Sequence, residues 1–481
     1  MKIYAPNIHL FAFQLNKIVN SDSGQTKNTE LWQKADEVVR NTLQQDLHLS
    51  QHLDLKKEPE NRRVELLKDS EVKNDDYSVS FQGKVSLDHT QQVVIKGFAY
   101  PLRIYDSYGL WLNLRRPEKE DDDITPTEDV DVSLLSKLNF NNCLTLNHDD
   151  LFLGQTLLIT AWLTGAKYKN STNQVAEECL KALFRDPSQR PPFNRQEELF
   201  GSPIFEYGLF SQSSKYQHVL IWLFTDERAD AKFNECYQDL VDLFFFRAKV
   251  VKAFENSRIL YHELESVYKE VEQVVDRLPK NSDAKDLKTE DLKKFKKELK
   301  ALPKLSLKYT RLLHLIEEYQ NTIIINSDNY SSRVRRISYI TGEDLRFLKP
   351  LSEENSVFFQ KQITSDLGYF KHGLALLEQV ITVIRGLVEI EQTERDRSLE
   401  QTIQILGVGL GAGAIVSGVV ATHIEKPFAP LSFDKPFHPI TSSLFWSFLA
   451  VLFFGGLTWL WTKRPHPFGE VKSQKSKVKS L

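Results

Sequence analysis

"ILGVGLGAGAIVSGVVATHIEKPF", from Ile405 to Phe428, carries four glycines close together, at Gly407, Gly409, Gly411 and Gly413. Two chemistries use such a pattern. A glycine-rich loop lets backbone N–H groups close on a pyrophosphate at a helix N-terminus. A glycine-rich helix lets a second helix approach closely inside a membrane. Gly409, Gly411 and Ala414 fit G-x-G-x-x-[GA], with "TIQIL" before them as the strand. That motif also needs a βαβ unit and an acid about 20 residues further on. The preceding "EIEQTERDRSLEQ" is polar and reads as helix, and the position where the acid belongs is Ala429, inside the Pro-rich "EKPFAPLSFDKPFHP". The cofactor loop is therefore not the expectation.

The membrane reading fits better. No charged residue lies between Gln401 and Ile424, and His423 is the one ionisable side chain there. A second uncharged stretch runs from Pro436 to Thr462 around "LFWSFLAVLFFGGLTWLW", with Trp446, Trp459 and Trp461 near its ends. A spanning helix needs about 20 mostly apolar residues, and interfacial aromatics sit at its ends. A buried helical hairpin in a soluble core is the alternative. Lys463, Arg464, Lys472, Lys475, Lys477 and Lys479 follow the second stretch, and Arg395 and Arg397 precede the first. Between them, Lys426 and Lys435 are offset by Glu425 and Asp434. The positive-inside rule then places both termini in the cytoplasm, in a cell inner membrane or plasma membrane, with a short outer loop.

The 481 residues suffice for two or three domains. A net charge of −3 gives no nucleic-acid footprint. With 26% charged and 41% hydrophobic residues, the composition is that of an ordinary globular protein, so the membrane signal is local to the C-terminal part. The opening "MKIYAPNIHLFAFQLNKIVN" has no basic n-region and no long apolar core, and is not expected to be a signal peptide. Cys143, Cys179 and Cys236 are far apart and odd in number, which argues against a disulfide framework or a zinc ribbon.

Along residues 1–226 the pattern predicts a mixed α/β domain. "ELWQKADEVVRNTLQQ" puts Leu31, Ala35, Val38, Val39 and Leu43 on one helical face. "YSVSFQGKVSL", "QQVVIKGFAYPLRIYD" and "GLWLNL" read as a meander or hairpins. "STNQVAEECLKALF" is a helix opened by Ser171 or Thr172, and "YQHVLIWLF" is a buried closing strand. "RDPSQRPPFNRQEELFGSP" is expected to be a loop. The acidic run "EKEDDDITPTEDVD" at 118–131 lacks calcium-loop spacing and reads as a solvated loop; "NHDD" at 147–150 reads as the cap of a helix starting near Leu151. No nucleophile elbow, Walker loop, His-Glu-x-x-His or kinase motif is present, so no catalytic residue and no enzyme activity are expected.

From 227 to 354 the chain turns into charged helices, one of them, "DLKTEDLKKFKKELKAL", expected to end at Pro303. Beyond Pro350, Ile363, Leu367, Phe370, Leu374, Leu377, Ile381, Ile384 and Val388 recur at alternating spacings of four and three, a heptad seam expected to bury against another helix or another copy. The seam turns polar at Glu391, Arg395, Ser398 and Thr402. A stalk helix is expected over 355–404, running into a first span at 402–424, then an outer loop at 425–439, a second span at 440–462 and a basic tail at 463–481. Within the first span, Gly407, Gly411, Ala414, Gly418 and Ala421 form a stripe of small residues that packs on a neighbouring helix or leaves room along an axis. The fold class expected is thus an α+β cytoplasmic domain followed by long helices and a C-terminal two-span transmembrane helical hairpin.

This order of parts resembles the CorA-type magnesium transporter family. The resemblance covers most of the chain as architecture and is weak as sequence. The family's Gly-Met-Asn motif at the end of the first span is absent: that position reads Ala421-Thr422-His423-Ile424-Glu425, and Met1 is the one methionine. The resemblance implies a homo-oligomer in a lipid bilayer, a pore lined by the first span, and a cation channel or transporter gated by the cytoplasmic domain. It places Glu391, Arg395 and Ser398 at the cytoplasmic mouth and His423 and Glu425 at the outer mouth. No bound cofactor is implied beyond a divalent cation as the transported or regulatory ion, and no nucleic acid. The alternative is a membrane-anchored interaction or sensor protein without transport.

Overall fold

A computed structural model describes residues 1–16, 30–57, 63–87, 91–120, 124–146, 151–164, 171–210, 217–277, 289–422 and 439–462. The chain divides into two compact units, Met1–Glu270 with Leu307–Leu374, and Val271–Ser306 with Ala375–Leu481.

The first unit is built on a sheet. Its strands are β1 (Lys2–Leu15), β2 (Arg63–Glu65), β3 (Val79–Ser86), β4 (Gln92–Ile104), β5 (Ser107–Arg115), β6 (Val130–Asp131), β7 (Phe152–Trp162), β8 (Phe193–Leu199), β9 (Ser202–Tyr207) and β10 (His218–Phe224). Their order is β2-β4-β5-β1-β7-β10-β9-β8, with β3 also paired to β4 and β6 to β1. Every pairing is antiparallel except β7 with β10. The N-terminal stretch owes its near-continuous apolar character to being a middle strand buried on both faces.

Alternation along the strands gives each face its own core. Ile8, Leu10 and Ala12 of β1 and Leu110, Leu112 and Leu114 of β5 share a cluster with helix α1 (Glu30–Leu43), short helix α2 (Leu134–Leu138) and helix α3 (Thr172–Leu183). Phe11, Phe13, Trp111, Leu220 and Trp222 point the other way. They share a cluster with helix α4 (Glu227–Asp276), through Phe233, Leu240 and Phe244, and with helix α5 (Thr289–Thr341), through Tyr330, Val334 and Ile337. All five apolar positions expected on α1 are buried.

Gly97 of β4 is squeezed between neighbours on both sides, and an added Cβ would overlap the Asn113 carbonyl oxygen of β5 and the Phe81 ring of β3. Backbone cannot swing aside, so Gly97→Ala is expected to cost about 3 kcal/mol. A urea midpoint followed by near-ultraviolet circular dichroism tests this; an unshifted midpoint would show that the sheet opens there freely.

Besides the helix expected from near Leu151, which is strand β7, three expectations need correction. The Pro-rich segment at 185–203 is not all loop: it holds β8 and the start of β9, joined through Phe200 and Gly201 at φ of 51° and 79°. The ladder between them outweighs the turn-rich composition. Helix α5 does not end at Pro303 but runs through it; buried Leu302, Tyr309, Leu312 and Leu313 hold the turns on either side, offsetting the one backbone hydrogen bond that proline removes.

The third correction is the largest. Helix α6 (Ser356–Thr422) and helix α7 (Pro439–Thr462) are present, but among the described residues no helix is long and apolar enough to cross a membrane. In α6, Gln401, Thr402, Gln404 and four glycines dilute the apolar side chains. The transmembrane hairpin, the multi-pass description and the placement in a cell inner or plasma membrane with both termini cytoplasmic are overturned by this finding. The α/β domain followed by long helices stands.

Candidate functional site

The cleft of interest lies on the α4 side of the sheet in the first unit. The register sets Asn7 opposite Arg115, His9 opposite Asn113 and Phe11 opposite Trp111 between β1 and β5. Between β4 and β5 it sets Phe98 opposite Asn113 and Tyr100 opposite Trp111. These residues share the face of Phe11 and Trp111, because each strand alternates. A β-bulge between Tyr4 and Asn7, with Ala5 at a φ of 45°, precedes this row. Helix α4 covers the row with Phe233, Asn234, Tyr237 and Gln238. Residues 74–78 close one side. Asn74 and Asp75, at φ of 50° and 59°, form a tight turn in which the Asp76 amide donates to the Lys73 carbonyl at 2.9 Å. The cleft is open on one side and holds about 460 Å³, within the range of small-molecule sites.

Trp111 is the centre of the apolar wall. Phe98 meets it edge-on at 4.8 Å and Tyr237 lies at 5.4 Å. Beside this wall is a polar group that the protein leaves incomplete. The Trp111 indole N–H donates to His9 Nδ1 at 3.1 Å, so the neutral ring carries its proton on Nε2. Burial drives the His9 pKa down to about 3, with the Arg115 charge adding to it. Asn113 Nδ2 is engaged with Asn7 Oδ1, and with the Ile8 carbonyl at 3.4 Å. His9 Nε2 and Asn113 Oδ1 are both buried and have no hydrogen-bond partner among the described residues. An unmet buried polar atom costs about 1–3 kcal/mol, so two in one cleft call for an explanation.

Tyr100 links the cleft to an ion network. Its hydroxyl donates to Glu65 Oε1 at 3.0 Å and accepts from Arg63 Nη2 at 3.1 Å. Arg63 of edge strand β2 also reaches Asp242 of α4 at 3.4 Å. Asp242 is held by Arg333 of α5 at 3.0 Å, and Asp239 by Arg333 at 3.2 Å and Arg336 at 2.9 Å. Burial pushes the Tyr100 phenol up to about 12, so it stays neutral and keeps both hydrogen bonds. Burial also raises Asp242, against the opposing charges of Arg63 and Arg333.

The residues singled out from the sequence lie elsewhere. An added Cβ on Gly407 or Gly411 meets nothing within 4 Å, and Ala414 is exposed. Gly409 and Gly413 are the ones that approach α7, at Val451. The surroundings of Gly418 and Ala421, and all of His423 and Glu425, are outside what is described. Glu391 and Arg395 approach each other to 3.7 Å along α6, and Ser398 is exposed. Of the seam, Ile363, Leu367, Phe370, Leu377 and Ile384 are buried, while Leu374, Ile381 and Val388 are half-buried. Phe370 rests edge-on against Tyr261 of α4 at 5.3 Å, and its carbonyl accepts from the Tyr309 hydroxyl of α5 at 2.8 Å.

In the acidic run, Glu118 accepts from the Trp162 indole at 2.8 Å, while 121–123, like "NHDD" at 147–150, lies outside the described residues. Among the described residues no group of three or more His, Cys, Asp or Glu is placed to hold a metal ion. Sequence reading missed His9, Asn113 and Tyr100. The available signal was the recurrence of Asn7, His9 and Asn113 at same-face positions of otherwise apolar strands. The chain matches no protein-family model and no curated protein.

Proposed function

We propose that the chain is a ligand-responsive protein, whose N-terminal domain takes a small molecule into the cleft between β1, β4, β5 and α4 and passes its presence to the long helices. What supports this reading is Tyr100. Its ring lines the cleft, while its hydroxyl belongs to the ion network that joins β2, α4 and α5. A ligand that displaces this ring alters the hydroxyl's position, and with it the way Arg63 shares Asp242 with Arg333. A bound ligand shifts such an equilibrium only by its differential affinity for the two arrangements. The reading takes the chemistry of the cleft as binding, on its aromatic wall and its two unmet polar atoms. Among the described residues no helix is long and apolar enough to cross a membrane, so the reading is built on the cleft.

The test is a thermal-melting screen of the full chain against polar metabolites, followed by hydrogen exchange. A compound that binds the cleft should raise the melting temperature of the wild type and not of Trp111→Ala. It should also change the exchange of α5 amides around Arg333, and Tyr100→Phe should keep the binding while losing most of that change. If no compound stabilises the wild type, or if α5 is unaffected by one that does, the proposal fails.

A further inference from the structure

The orphaned atoms of the cleft carry information about what fills it. We propose that the ligand presents a planar nitrogen heterocycle with a hydrogen-bond acceptor next to a donor on one edge, the pattern of an aminopyrimidine or a nicotinamide. The proposal rests on the ligand-binding reading and names the chemistry of the same site.

Four observations carry it. First, the two unmet groups have opposite polarity. His9 presents an Nε2–H donor, because its Nδ1 already accepts from the Trp111 indole. Asn113 presents an Oδ1 acceptor, because its amide nitrogen is engaged with Asn7 and the Ile8 carbonyl. Second, the two residues are direct cross-strand partners, so donor and acceptor arise on neighbouring side chains of one face. Third, the surrounding wall is aromatic: Phe98, Trp111 and Tyr237 offer ring faces and edges to a flat guest. Fourth, the rim carries Arg115 together with Asp75 and Asp76. Both signs are present, so the site favours neither a strong anion nor a strong cation, and the recognition falls to the neutral ring.

Neither His9 Nε2 nor Asn113 Oδ1 is open to solvent. Uptake of the ring therefore includes a small rotation of the imidazole or the amide towards the cleft. This makes His9 and Asn113 specificity residues: they reject a flat ring lacking the paired edge, because both groups would stay buried and unmet.

The experiment uses saturation-transfer NMR on the full chain with four probes. Cytosine and nicotinamide have both the flat ring and the paired edge. Pyridine has the flat ring without that edge, and cyclohexanecarboxamide has the amide without the flat ring. The expected result is that cytosine or nicotinamide binds at least tenfold more tightly than both controls. Asn113→Leu and His9→Phe should each remove that preference. Because both substitutions fall in the buried sheet and can impair folding, the wild type labelled with ¹⁵N-histidine supplies a second readout, in which the His9 Nε2 resonance moves on binding. Equal binding of probes and controls, or an unmoved His9 resonance, overturns the assignment of the ring edge while the cleft remains a ligand site. If neither heterocycle binds, yet the metabolite screen yields a Trp111-dependent ligand, the chemical class is wrong and the cleft reading survives. If that screen also yields nothing, both fall together.

Discussion

Glu206→Ala is expected to destabilise the first unit by about 3–5 kcal/mol, among the largest single losses the structure offers. Glu206 on β9 is buried where the far edge of the sheet meets α4. Its Oε2 accepts from Arg195 Nε at 2.7 Å, and its Oε1 from His218 Nε2 at 3.2 Å and Arg247 Nη2 at 3.3 Å. Burial alone would raise its pKa. The His218 hydrogen bond and the Arg247 and Arg195 charges outweigh that, and hold it well below the usual carboxylate range. Removing the carboxylate leaves the buried Arg247 without this counter-charge. It also loosens Arg195, whose Nη2 reaches the Phe347 carbonyl at 2.6 Å beyond the end of α5. Glu206→Gln keeps the shape and loses the charge, so its cost should lie between wild type and alanine. Urea unfolding followed by near-ultraviolet circular dichroism measures all three proteins. A loss below about 1 kcal/mol for alanine would mean that this cluster is no better than a surface ion pair.

The reasons such a cluster escapes sequence reading are geometric. Glu206 lies just past the segment at 185–203 whose prolines and glycine suggested a loop, and its partners come from β8, β10 and α4. The cleft escaped for the same reason. His9 and Asn113 become neighbours through a strand register that periodicity cannot supply. Helical parts were more legible, because their signal is local. The apolar stripe of α1, the start of α3 at Thr172 and the unbroken α6 are all visible as period or as the absence of a breaker. The seam of α6 announced that it would be covered. It did not say by what, and Phe370 is met by Tyr261 and Tyr309 of the same chain. The membrane expectation counted uncharged residues, whereas crossing depends on a sustained run of apolar side chains, to which glycine and glutamine contribute little.

Acid should weaken the first unit well before its carboxylates titrate. Burial lowers the His9 pKa to about 3, with Arg115 adding to the effect. Burial, together with the Arg247 charge, lowers His218 to about 4 against the opposing Glu206. In the unfolded chain both rings titrate near 6.5. Above that pH neither state holds a proton on these rings, and they add no pH dependence. Below it the unfolded chain binds about two protons that the folded chain refuses, until the folded values are reached. Stability therefore falls as pH falls, beginning near 6.5, with a slope approaching about 2.7 kcal/mol per pH unit. Glu206 adds to the loss only below about pH 4, where its unfolded counterpart becomes protonated while the folded carboxylate resists. Urea unfolding at pH 7, 6 and 5 should show the midpoint dropping steadily. The slope identifies its source: His9→Phe should remove about half of it, since only His218 then discriminates between the two states. A midpoint that holds constant from pH 7 to 5 would mean that these rings gain protons without resistance. His9 would then lie in a cleft wet enough to satisfy it, and the unmet Nε2–H on which the ligand assignment depends would not exist.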